Sequence, residues 1–99
     1  MARRKAAQPI QEFPLIRQLQ RRYERRSPLI RKGIGDDAAV VSIPAGNWAV
    51  LTTDLLTEGI HFDLQTASPE SIGYRAAMAN LSDVAAMGAT PRFLLISLA

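Results

Sequence analysis

Residues 35–54, GDDAAVVSIPAGNWAVLTTD, carry the reading on which the fold turns. Two short β-rich runs, residues 38–43 and 48–53, flank Pro44-Ala45-Gly46-Asn47, a loop composition that joins neighbouring strands into a hairpin. Gly33-Ile34-Gly35 stands before the first run and marks a turn where backbone passes closely or takes a positive φ. Upstream, over residues 11–26, Phe13, Leu15, Ile16, Leu19 and Tyr23 recur mostly at helical spacing, with Arg and Gln between them. That pattern predicts a surface helix, broken by Ser27-Pro28. Downstream, residues 54–66 read as irregular, and Ser68-Pro69-Glu70 then opens a second helix. Serine caps the free amides, proline suits the first helical position, and glutamate complements the dipole. This helix is predicted to run to about Met87, with Gly88 as its stop. Its small residues Ala76, Ala77, Ala79, Ala85 and Ala86 let it lie close against a sheet or another helix. After Thr90-Pro91, residues 93–98 form a nearly continuous apolar run, expected to be a strand buried on both faces. The predicted class is α+β: an N-terminal helix, a β-hairpin, a helix packed on a small mixed sheet, and a buried C-terminal strand. A domain rarely stops directly after a core strand, so a piece of a longer protein is expected.

The composition narrows the chemistry. A hydrophobic fraction of 47% over 99 residues is enough for a core, although a chain this short buries a modest share of its surface. There is no cysteine, which excludes a disulfide scaffold, a thiolate metal site and a cysteine nucleophile, and fits a reducing cytoplasm. The basic start is followed by no apolar stretch of the secretory kind. No run approaches the roughly 18 apolar residues that span a bilayer. Charge is split sharply along the chain. Residues 1–32 hold ten of the twelve Lys and Arg against Glu12 and Glu24, whereas residues 33–99 hold Arg75 and Arg92 against seven carboxylates. Residues 1–10 read as a disordered basic arm. The arginines of the first helix lack an accompanying set of stacking aromatics, which argues against nucleic-acid binding.

The seven carboxylates are placed informatively. Asp36 and Asp37 stand at the entry to one predicted strand, and Asp54 stands at the exit of its predicted partner. A hairpin would bring both to one edge, on strands about 4.8 Å apart. Carboxylates that close ionise together only when a cation or another partner compensates them. Asp83 falls in the last third of its helix, where the dipole disfavours negative charge by a few tenths to about 1 kcal/mol. The ordinary alternative for Asp83 is a solvated aspartate beside Asn80. Oxygen donors from aspartate and threonine suit Mg²⁺ shared with phosphates. One histidine and no cysteine do not suit zinc. A serine–histidine–aspartate triad through His61 lacks a nucleophile elbow, and no Walker loop is present.

Four stretches taken in order resemble the thiamine-monophosphate kinase family: EFPLI at residues 12–16, GIGDDAAVV at 33–41, TTDLLTEGIHF at 52–62 and NLSDVAAMGATP at 80–91. The resemblance runs from about residue 11 to the last residue. The wider superfamily includes aminoimidazole ribonucleotide synthetase, selenophosphate synthetase and the hydrogenase-maturation dehydratase. Residues 58–62, followed by 80–83, point to the thiamine enzyme among them. The resemblance implies ATP-dependent phosphorylation of thiamine monophosphate to thiamine diphosphate, several Mg²⁺ ions, and a homodimer whose N-terminal domains join their sheets. Carried over by position, it implies Asp37, Asp54 and Asp83 as Mg²⁺ ligands with Thr52 and Thr53 adding oxygens. Asp36 is a weaker candidate, and His61 is a substrate contact. On this basis residues 11–99 are part of an N-terminal metal- and ATP-binding, dimerising domain. The family's Gly-Gly-Asp segment and second domain are absent from the sequence, so the chain by itself is expected to be inactive. Two further readings stay open. One is another ATP-dependent synthetase of the superfamily. The other is a non-catalytic dimerisation or binding module with a basic arm for acidic partners.

Overall fold

The computed structural model describes residues 9–99, and these form two compact units divided between Asn47 and Trp48. Most of the predicted basic arm, residues 1–8, lies outside the described residues.

The first unit begins with α1, Glu12–Tyr23. Leu15, Ile16, Leu19 and Gln20 make its half-buried face, while Phe13 and Tyr23, predicted to share that face, are 72% and 56% exposed. The Arg22 guanidinium lies 5.4 Å from the centre of the Tyr23 ring, a cation–π distance. The helix stops three residues before the predicted end at Arg26. Ser27 begins a turn of its own, accepting the Leu29 amide on Oγ at 3.2 Å and the Ile30 amide on its carbonyl at 3.1 Å. Residues 24–26 form the link to that turn. The turn delivers β1, Ile30–Lys32, antiparallel to β2, Val40–Val41. Ile30 pairs with Val41 and Lys32 with Val40 across a bulge, and Ser42 donates to the Leu29 carbonyl at 2.7 Å. Of the two roles expected of the glycine turn, the structure shows the positive φ, at Gly35; the close neighbour of Gly33 is a side chain. A Cβ on Gly33 would come within 3.0 Å of Glu24 Oε1, and Gly35 has φ +119°.

The predicted hairpin is corrected here. Pro44-Ala45-Gly46-Asn47 does turn, with the Asn47 amide donating to the Pro44 carbonyl at 3.2 Å. Residues 48–53 beyond it form no strand, and the partner of β2 is β1. A β-ladder is made of hydrogen bonds between neighbours, so apolar, β-branched sequence without a paired neighbour stays extended but unladdered. Trp48 and Leu51 are accordingly 94% and 90% exposed.

The second unit is organised around α2, Pro69–Ala86. Ser68 caps it, its Oγ accepting the Ser71 amide at 3.1 Å, and Gly88 closes it with φ +68°. Ile72, Ala76, Ala79, Asn80 and Val84 form its half-buried stripe. Asn80 turns its side-chain amide back onto the Ala76 carbonyl at 2.9 Å. Residues 57–62 form a tight loop with a single bridge between Glu58 and Phe62.

The predicted small mixed sheet under this helix is also corrected. The sheet among the described residues is two-stranded, purely antiparallel and part of the first unit. Residues 93–98 form no strand and are exposed, Leu95 at 86% and Leu98 at 72%. The apolar sequence is as read, but with no neighbouring strand it gains neither a ladder nor cover. No described residue is fully buried.

Candidate metal and phosphate site

In the first unit the turn after β1 presents two adjacent carboxylates in different surroundings. Asp36 pairs with Lys32 through one oxygen and accepts the Asp37 amide through the other, at 2.7 Å. The Lys32 ammonium, followed by the Asp37 amide, holds the Asp36 carboxyl below the usual carboxylate range, against a smaller opposing effect of desolvation. Both Asp36 oxygens are thus engaged by the chain. Asp37 is exposed, and among the described residues its carboxylate accepts no hydrogen bond.

The second unit holds the other candidates. Thr52, Thr53 and Asp54 follow one another on an exposed segment outside any helix or strand. Thr52 Oγ1 donates to Asp83 Oδ2 at 3.5 Å, a long contact that joins residues 31 apart in sequence. Asp54 Oδ1 accepts the amide of Leu55 at 2.9 Å. Asp54 also lines a hollow of about 120 Å³ together with Leu55, Leu56, His61, Arg75 and Ala79. His61 therefore lies beside Asp54. Its Nδ1 accepts the Thr57 amide at 2.9 Å, and its carbonyl accepts from Arg75 Nη1 at 2.9 Å. The sequence reading missed Arg75 and Thr57. The available signal was that Arg75 is one of only two cations in residues 33–99.

Asp36 and Asp37 lie in one unit, and Thr52, Thr53, Asp54, His61 and Asp83 in the other. The hairpin predicted to gather Asp37 and Asp54 is not formed. Within either unit, no three histidine or carboxylate side chains among the described residues gather into a metal-holding group. The donor chemistry nevertheless fits Mg²⁺. Thr52 and Asp83 adjoin as hydroxyl and carboxylate, Asp54 is exposed, and all carry hard oxygen donors of the type that Mg²⁺ accepts.

Comparison with known proteins bears on identity. The sequence pattern of the family described as AIR synthase related protein, N-terminal domain, matches residues 35–99. The thiamine-monophosphate kinase of Synechococcus elongatus is 57% identical over 65 residues, covering 66% of this chain and 20% of that protein. The thiamine-monophosphate kinase of Bacillus subtilis is 44% identical over 88 residues, covering 89% of this chain and 27% of that protein. That of Escherichia coli is 40% identical over 87 residues, covering 88% and 26%. The chain thus spans about a quarter of the length of the curated relatives it matches. No solved structure gives a significant match. With well over half of its residues inside the matched pattern and these kinases among its relatives, the chain belongs to the AIR synthase related protein family, in the N-terminal domain.

Proposed function

We propose that the protein carrying this chain uses ATP to phosphorylate thiamine monophosphate to thiamine diphosphate, and that the chain supplies part of its Mg²⁺ and phosphate site. The observation that carries this reading is similarity to thiamine-monophosphate kinases at 40–44% identity over almost the whole chain. In this reading Asp37 in the first unit, and Asp54 and Asp83 with the hydroxyls of Thr52 and Thr53 in the second, are Mg²⁺ ligands. Asp36, already engaged by Lys32, stands in second rank. Bound Mg²⁺ would lower the repulsion between donor and acceptor phosphates and stabilise charge during transfer.

The chain's own residues prepare this site. Thr52 Oγ1 lies 3.5 Å from Asp83 Oδ2, so a hydroxyl and a carboxylate oxygen stand side by side. Near the C-terminal end of α2 the helix dipole opposes the Asp83 charge, so a cation is a favourable partner there. His61 contacts substrate from the hollow it shares with Asp54. In the same reading the protein is a cytoplasmic homodimer. Its activity belongs to the whole protein, and the 99-residue chain alone is without it. Among the described residues no helix is long and apolar enough to cross a membrane.

The test is formation of thiamine diphosphate by the complete protein, with Asp54→Asn and Asp83→Asn beside it. Each variant is expected to lose on the order of 100-fold or more in turnover, as when preorganised charge stabilisation is removed from a transfer site. Full activity in either variant would overturn its assignment as a metal ligand.

A further inference from the structure

We infer that Arg75 is a positioning residue that pins the loop over residues 57–62 to α2 and so sets the face His61 offers to a ligand. The inference rests on the reading of His61 as a substrate contact. The loop is shaped from within. The amides of Ile60 and His61 donate to the Thr57 carbonyl at 3.2 and 2.9 Å, and the Gly59 amide donates to the Phe62 carbonyl at 2.8 Å. Gly59 sits at φ +81°, a conformation that side chains rarely adopt. These bonds close the loop on itself but tie it to nothing else. Among the described residues, the hydrogen bond from Arg75 Nη1 to the His61 carbonyl is the one that joins the loop to α2.

The consequence falls on the imidazole. Its Nδ1 accepts the Thr57 amide, so in the neutral ring the proton sits on Nε2. His61 is thereby fixed as a hydrogen-bond donor, suited to an acceptor oxygen on the ligand. This holds only while the loop keeps the Thr57 amide and the ring in register, and Arg75 grips the carbonyl of the same residue. The grip comes from a charged donor, stronger than a neutral one. Among the described residues Arg75 forms no ion pair, although Asp54 lines the same hollow. Its charge is therefore not committed to a neighbouring carboxylate, and the carbonyl of His61 is its partner.

Two variants of the complete protein test this. Arg75→Met keeps the aliphatic stem and removes every donor, whereas Arg75→Lys keeps a donor of similar reach. With Arg75→Met, the KM for thiamine monophosphate is expected to rise on the order of tenfold, while kcat and the KM for ATP stay within about twofold. Arg75→Lys is expected to recover most of that loss. Amide hydrogen exchange gives a readout independent of turnover. Thr57 and His61 should exchange about tenfold faster in Arg75→Met, with the interior of α2 unchanged. Unchanged exchange at Thr57 overturns the inference, as does faster exchange throughout α2 or an equal rise in both KM values. If His61→Ala leaves the KM for thiamine monophosphate unchanged, the substrate reading of His61 fails, and the exchange result still decides the role of Arg75.

Discussion

Asp36 and Asp37 are neighbours with opposite prospects. Asp36 is occupied by Lys32 and by the Asp37 amide, while Asp37 is left exposed. Because the Asp36 pKa is depressed in the folded chain, its contribution to stability is present above the ordinary carboxylate range. It is lost as pH falls through the lower folded value, and near neutral pH it is fully present and does not vary with pH. Lys32→Met is expected to raise the Asp36 titration toward the ordinary value, followed by carboxyl carbon NMR. An unmoved titration would remove Lys32 as the cause. Residue-level reading succeeded where the governing rule is local. The unusual setting of Asp83 and the cap at Ser68 both follow from helix ends. Arg75 escaped because its partner is a backbone carbonyl 14 residues away, and no residue type in the sequence advertises that bond.

At the scale of elements, α2 was legible almost to the residue, because serine, proline and glycine punctuate it at fixed positions. Ser68→Ala should weaken the helix start by about 1 kcal/mol. The measurement is exchange of the Ser71 amide, which now donates to the Ser68 hydroxyl. Unchanged protection there would show that the cap contributes nothing. The sheet was much less legible. β1 has three residues, two of them basic, and carries no β-rich signature. Its position is set by the Ser27 turn before it and the glycine turn after it. Residues 48–53 and 93–98 carry strand sequence but no strand, because pairing depends on a neighbour as well as on propensity.

At the scale of the whole molecule, the described surface is rich in large apolar side chains, including Trp48, Leu51, Leu55, Ile60 and Leu95 at 74–94% exposure. The chain accounts for about a quarter of its curated relatives' length. Hard oxygen donors were legible in the sequence as residue types, because aspartates and threonines fall in three short segments. The expected convergence of Asp37 and Asp54 rested on a hairpin between residues 38–43 and 48–53, and residues 48–53 form no strand.

Trp48 turns that exposed surface into a signal. It is the chain's one tryptophan, and it stands 94% exposed. An indole surrounded by water emits at the red end of its range and is readily quenched by iodide or acrylamide. The isolated chain should therefore fluoresce like free indole in water. In the complete protein, a shift to shorter wavelength with loss of quenching would report that residue 48 has acquired a cover. An unshifted, fully quenchable emission would show that Trp48 faces solvent in the complete protein too.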